Sequence, residues 1–118
     1  MYPIEGLYSL EELERREGCG VYSVRLNGAH SIYTVHFPQS PILPGVCMLY
    51  MVRECTARLL ERNVEWEELR SCKFVRLVDP RKITELQVVV MPKEGCRIEG
   101  RVEANGEVVA KIQARYRE

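Results

Sequence analysis

Histidine is the one side chain whose unperturbed pKa places its change of charge close to neutrality, and this chain contains two, His30 and His36. His36 is followed by prolines at Pro38, Pro41 and Pro44 and then by Gly45. Proline fixes its own φ and biases the preceding residue toward extended geometry, so the spacing predicts a stiff, non-helical approach from His36 to Leu43. Pro44 suits a helix's first turn, where a missing N–H costs nothing, and Gly45 lets another group come close to the backbone. A titratable ring is thereby delivered near a helix N-terminus, whose free N–H groups and positive dipole end can hold a carbonyl oxygen or an anion. Polarising a carbonyl and moving a proton is the chemistry that such parts support.

The helix that must hold this site follows directly. At about 100° per residue, Met48, Leu49, Val52, Cys55, Leu59 and Leu60 fall on one arc of Val46 to Arg62, with Glu54, Arg58, Glu61 and Arg62 opposite. Val46, Cys47, Tyr50 and Met51 carry the apolar surface beyond that arc in the first two turns, so this end is expected to be covered on every side, by its own sheet and by a partner subunit or a pocket wall. Arg53 falls inside the apolar arc, an anomaly that pairing across a dimer or snorkelling would explain.

Elsewhere the pattern is mostly extended. Ser9 and Glu12 form a capping-box pattern, and Gly18 a stop, which predicts a short amphipathic helix over residues 10–17 carrying Leu10 and Leu13. From Cys19 the chain alternates, setting Tyr22, Val24 and Leu26 against Val21, Ser23 and Arg25, up to the turn Asn27-Gly28. Ser31 to Phe37 reads as extended again, and His30, beside the turn, as a surface residue. After an acidic stretch with the only tryptophan, Trp66, come four candidate strands: Cys72 to Val78, Thr84 to Met91, Cys96 to Glu103 and Glu107 to Tyr116. Asp79-Pro80, Pro92 to Gly95 and Asn105-Gly106 separate them, the last being a strong hairpin signal. The order predicts one α+β domain over residues 1–118, with a single long helix packed on a curled antiparallel sheet. One helix cannot cover both faces or both edges of such a sheet, so pairing with a second copy is expected.

Composition narrows the function. Lys and Arg number 17 and so do Asp and Glu, which argues against nucleic-acid binding, where a basic excess is the rule. No run of apolar residues is long enough for a membrane span, and the acidic start MYPIEGLYSLEELERR is unlike a signal peptide; a cytoplasmic location is expected. Five cysteines at wide, irregular spacings read as reduced, buried thiols, and two histidines with no clustered cysteine pair make no metal site.

The string H-F-P-x-x-P-x-x-P-G-V at residues 36–46, followed by a buried helix and a strand meander, resembles the hotdog-fold 3-hydroxyacyl-acyl-carrier-protein dehydratases (FabZ/FabA-like). The likeness runs over about residues 19 to 116 and includes Lys73-Phe74 and the hairpin from Gly106 to Ala110. It implies an antiparallel sheet wrapped around one central helix and a cofactor-free elimination of water that leaves a 2-enoyl thioester. His36 would match the catalytic base, with Phe37 beside it against the substrate, and Gly45 and Val46 the amides that polarise the thioester carbonyl. The family pairs each histidine with a carboxylate from the other subunit of a two-fold dimer. Here that position is Tyr50, Val35 stands where the motif has glycine before the histidine, and Gln39 where it has glycine after the proline. Glu54, one helical turn on, is the nearest carboxylate.

Dehydration needs a base for the α-proton, a donor for the enolate oxygen and an acid for the departing hydroxyl. Neutral imidazole suits the first and helix-end amides the second; for the third, His36 returning its proton, the Tyr50 phenol and Glu54 all stand open. The resemblance also implies an acidic acyl carrier protein as partner, which Arg70, Lys73, Arg76, Arg81 and Lys82 would attract. Two other readings are compatible with the same residues: an acyl thioesterase using Glu54 to activate water, and a non-catalytic acyl-binding or dimerisation module.

Overall fold

The computed structural model describes residues 5–16, 18–35 and 41–118. Six strands and two helices follow one another as β1 (Tyr8–Arg16), β2 (Cys19–Leu26), α1 (Ile32–Val35), α2 (Gly45–Leu60), β3 (Trp66–Phe74), β4 (Glu85–Lys93), β5 (Arg97–Ala104) and β6 (Glu107–Tyr116). The strands form one antiparallel sheet in the order β1-β2-β4-β5-β6-β3.

The alternating runs fold as their periodicity dictates. Tyr22, Val24 and Leu26 of β2 are buried on the helix side, as are Ile98 and Val102 of β5 and Ala110, Ile112 and Ala114 of β6. Asn105 and Gly106 both take positive φ, at 52° and 80°, the geometry that a two-residue hairpin demands and Asn-Gly supplies. Across the sheet, α2 buries Cys47, Met48, Met51, Val52, Cys55 and Thr56. The buried stripe is therefore turned relative to the predicted arc: Cys47, Met51 and Thr56 are in the core, and Leu49, Leu59 and Leu60 are half-buried. Thr56 is tolerated there because its Oγ1 donates to the Val52 carbonyl at 2.7 Å. The close seat of α2 also explains Gly100: a methyl group added there would lie 2.7 Å from Val52 Cγ1.

The sheet is not curled round the helix, which corrects the expectation of a wrapped architecture. Its order ends in two edges, β1 and β3, with no ladder joining them, and α2 lies on one face against β2, β4 and β5. A helix of about 10 Å diameter spans only two or three strands set at about 4.8 Å, so the outer strands extend past it on either side.

Three local readings are also corrected. Residues 10–17 are not a helix: Tyr8–Arg16 pairs along its length with β2, from Tyr8↔Leu26 to Arg16↔Cys19, with Gly18 at φ 77° in the turn. An isolated helix of that length gains little in water, whereas the hairpin satisfies a full row of backbone groups. The chain after Ser31 is not extended either, since Ile32–Val35 makes one helical turn. His30 is the reason: its Nδ1 accepts from the Ile32 N–H at 3.0 Å, its carbonyl accepts from Tyr33 N at 3.2 Å, and Nε2 lies 2.8 Å from the Glu5 carbonyl. It is a half-buried structural cap rather than a loose surface residue. Finally, β3 begins at Trp66 and stops at Phe74, because the Val75 and Arg76 N–H groups both turn to the Val109 carbonyl, at 2.8 and 3.3 Å.

Among the described residues, no helix is long and apolar enough to cross a membrane.

Candidate active site

The N-terminus of α2 is shaped by a proline and a glycine. Pro44 caps it in extended geometry (φ −61°, ψ 141°) and brings no side-chain hydrogen bond. The approach is anchored where Leu43 N–H donates to the Val78 carbonyl at 2.8 Å, and the first turn closes with Cys47 N–H on the Pro44 carbonyl at 3.0 Å. A helix's first N–H groups have no acceptor within the helix, and here those belong to Gly45 and Val46. Gly45 is bare for a reason: the Phe74 ring lies over it, and an added methyl would sit 2.8 Å from Phe74 Cζ. Val46 is 51% exposed and Phe74 47%, so the helix end is flanked by two half-open apolar groups. Phe74 is the residue whose place sequence reasoning missed, although the Lys73-Phe74 pair had already been singled out.

His36 and Phe37 lie outside the described residues. Flanking them in the chain are α1, ending at Val35, and the segment from Pro41 that leads into α2.

Tyr50 and Glu54 stand one turn apart on α2. Tyr50 is half-buried, with the Arg53 guanidinium carbon 5.3 Å from its ring centroid. Stacking of this kind answers the anomaly of an arginine inside the apolar arc, since a cation over a phenol ring is attracted by its quadrupole. Glu54 is held from two sides: Tyr8 Oη donates to Oε1 at 3.3 Å, and Arg58 Nη2 lies 3.3 Å from Oε2. Arg58 in turn reaches the Leu10 carbonyl at 3.4 Å, and Arg15 Nη2 donates to the Arg58 carbonyl at 2.9 Å. Burial, reinforced by the Glu54 charge, pushes the Tyr8 phenol well above its ordinary range, so it remains a donor. This pairing ties β1 to the polar flank of α2. Tyr8 has no sequence signal as a partner of Glu54, being 46 positions away.

Two thiols border the same helix. Burial pushes Cys47 up to about 11 and Cys55 higher still, which makes both unreactive core groups. No cluster of three or more metal-ligating side chains occurs among the described residues.

The basic set is only partly free. Arg70 pairs with Glu68 (3.8 Å), Arg76 with Glu107 (2.6 Å) and Arg81 with Asp79 (2.8 Å), and Arg81 holds the Asp79 carboxyl down to about 2. Lys73 and Lys82 enter none of the ion pairs among the described residues. Both sheet edges are charged, β1 with Glu11, Glu12, Glu14, Arg15 and Arg16 and β3 with Glu67, Glu68, Arg70 and Lys73. β1 exposes Leu13, whereas β3 and the loop after it expose Leu69, Phe74, Val75 and Leu77.

Comparison with known proteins agrees with this architecture. Residues 12–113 match the family model described as ApeI-like, ApeI dehydratase. A curated 3-hydroxyacyl-[acyl-carrier-protein] dehydratase FabZ of Jannaschia is 30% identical over 81% of this chain, and the chain spans 66% of that relative's length. Among solved structures, the dehydratase heterocomplex ApeI:P of Xenorhabdus doucetiae superposes with a TM-score of 0.79 at 16% identity, over 92% of this chain and 95% of that one. A hypothetical thioesterase of Streptococcus pneumoniae with coenzyme A gives 0.70 at 10% identity, over 97% and 89%. One central helix on an antiparallel sheet, together with a family match across nearly the whole chain, makes this a hotdog-fold protein of the acyl-dehydratase-like superfamily, belonging to the ApeI-like family.

Proposed function

We propose that the chain dehydrates 3-hydroxyacyl thioesters carried on an acyl carrier protein in the cytoplasm, working as a two-fold dimer. The observation that carries the reading is the entry into α2: a proline cap without a side-chain bond, a glycine kept bare under Phe74, and a histidine nine positions earlier. The family match supports it.

In this reading the thioester oxygen sits on the Gly45 and Val46 N–H groups and Phe37 packs on the acyl chain. Neutral His36 takes the α-proton; the electrons form the α,β double bond, and the β-carbon–oxygen bond breaks as the hydroxyl is protonated and leaves as water. His36 returning its proton, Tyr50 and Glu54 remain the candidates for that last step. Glu54 is held by Tyr8 and Arg58, which keeps its carboxylate in one place; Tyr50, beside Arg53, offers a hydrogen bond to the hydroxyl.

The dimer would form along β3, where Leu69 and Phe74 with Val75 and Leu77 beyond them make the larger exposed apolar surface of the two edges, against Leu13 alone on β1. A second assembly is favoured by one observation. Tyr50 occupies the position where the resembled family has its carboxylate, so two identical chains supply none there, whereas a dissimilar hotdog subunit bearing one would complete the site; the Xenorhabdus relative is itself named as a heterocomplex.

The test is appearance of the 2-enoyl product from 3-hydroxyacyl carrier protein. Loss of turnover in His36→Ala is the expected result; undiminished turnover removes the assignment. Thioester hydrolysis that disappears in Glu54→Ala would instead make the chain a thioesterase, and carrier binding without any turnover an acyl-binding module.

A further inference from the structure

Phe74 closes β3, an edge strand of the sheet, and is half-exposed. It belongs neither to the buried core nor to the half-buried apolar side chains packed against it, so core packing does not account for an aromatic ring at this place. Its contact is with the helix end. The heavy atoms nearest to a methyl group added at Gly45 are Phe74 Cζ, Cε2 and Cε1, at 2.8, 2.9 and 3.1 Å. The tip of the ring therefore points at the first residue of α2, while the half-exposed remainder stands toward solvent. By bond geometry the tip lies within about 5 Å of the Gly45 nitrogen, whose N–H holds an accepted oxygen at about 2.9 Å. Any group that accepts from that N–H has the ring beside it.

Polarising a thioester carbonyl at this helix end creates a second requirement. N–H groups that draw charge onto the oxygen assist any nucleophile at the carbonyl carbon, water included. In hydrolysis the water oxygen bonds that carbon and the carbon–sulfur bond breaks. Sulfur leaves with the electron pair and takes up a proton, giving a free acid and a free thiol. An elimination that must hand back an intact thioester needs water kept from the same carbon. We propose that Phe74 does this and so sets the reaction outcome, elimination over hydrolysis. The proposal rests on the thioester reading of the site and deepens it: the ring covers the bound carbonyl on its solvent side, and Gly45 is bare so that the ring can lie that close. An ordered water needs several polar partners, and an aromatic ring supplies none of the strong ones.

The experiment uses the full chain and butyryl-pantetheine, a thioester with no hydroxyl to eliminate, and reads butyrate release by chromatography beside binding by calorimetry. The parent should bind the thioester and release butyrate little above the uncatalysed background. Phe74→Ala should release it about tenfold faster or more, with Phe74→Leu, which keeps part of the cover, in between. Binding in both proteins with unchanged release overturns the proposal, as does a parent that already hydrolyses as fast as the variant. A rise of the same size in Leu69→Ala, which removes exposed apolar surface from the same strand, would trace the leak to a loosened edge and overturn it too. If Phe74→Ala fails to fold, Phe74→Leu carries the test, and release at the parent rate overturns the proposal. A parent that binds no butyryl-pantetheine removes the thioester reading and the proposal with it. Retained 2-enoyl turnover in His36→Ala would sink only the assignment of the base, since butyryl-pantetheine loses no water.

Discussion

Tyr8 on the outermost strand donates its hydroxyl to Glu54 on the central helix at 3.3 Å. The edge of the sheet is thereby fastened to the middle of the helix by a charge-assisted bond, and the same carboxylate is the one considered for proton transfer. Removing the hydroxyl should separate these roles. Tyr8→Phe is expected to lower stability by about 1 kcal/mol, the usual net worth of such a bond at a partly exposed carboxylate. If Glu54 is the acid, turnover should drop further than stability does, because the carboxylate loses the bond that holds it in place. Chemical denaturation and turnover measured on one variant settle both.

Gly45 cannot gain a side chain without moving Phe74, since an added methyl would come within 2.8 Å of the ring. The ring is half-exposed and free to swing outward, so Gly45→Ala should cost less than about 1 kcal/mol in stability. Turnover should nonetheless fall more than tenfold, because the ring, displaced by the methyl, is pushed across the helix end whose N–H groups hold the thioester oxygen in the proposed reading. Trimming the ring in Gly45→Ala/Phe74→Leu should restore part of the loss. A fall in stability matching the fall in rate would contradict this.

Gly100→Ala poses the same problem where nothing can yield. The added methyl meets Val52 Cγ1 at 2.7 Å between a buried helix and a buried strand, and overpacking of this kind costs about 1–3 kcal/mol. Urea unfolding should show the loss, and Val52→Ala in the same chain should recover part of it.

Alkaline stability follows from the buried thiols. Cys47 and Cys55 have folded pKa values raised above the ordinary 9.0 by burial, so the folded state keeps protons that the unfolded state releases. Their contribution is fully present below about 9 and is lost as pH rises from there toward the folded values. The urea midpoint should decline from about pH 9 upward, with Tyr8 and Tyr33, whose ordinary value is 10.0, adding to the decline beyond it. Cys47→Ala should flatten the first part of that slope; a slope that is unaltered would mean the thiol is already ionised or exposed in the fold.

At the exposed edge, lysine substitutions should act on assembly rather than on folding. Leu69→Lys with Val75→Lys places charge on two exposed apolar positions of β3 and the residue after it, a device that discourages strand pairing. Sedimentation should shift toward the monomer with the unfolding curve of the monomer unchanged. A persistent dimer would move the interface elsewhere.

The elements that the sequence made legible are those specified by their own periodicity. β2, β5 and β6 alternate, Asn105-Gly106 turns as Asn-Gly must, and α2 begins at Pro44-Gly45 as its punctuation announced. What escaped depended on partners far away in the chain. Ser9 and Glu12 mimic a helix start, and only pairing with β2 makes them strand. Ile32 to Val35 are mostly β-branched and read as extended until the His30 ring caps them. β3 is too rich in charge to announce itself from Trp66, and the open sheet is a property of which edges meet, which no local pattern encodes. At the candidate site, Gly45 and Val46 open α2 and Arg53 stacks on Tyr50. Tyr8 and Phe74 came only with the fold.

The seat of α2 has a consequence for the order of synthesis. Two of the three strands beneath it, β4 and β5, are made after it, so a nascent chain that has emerged only as far as Leu60 has little for Met48, Met51 and Val52 to rest on. The β1–β2 hairpin can form early, but the helix must wait on the ribosome until Ala104 has appeared, its two thiols open to oxidants for that interval. Chains stalled before β5 should therefore label at Cys47 and Cys55 with a thiol reagent, and chains released after β6 should not.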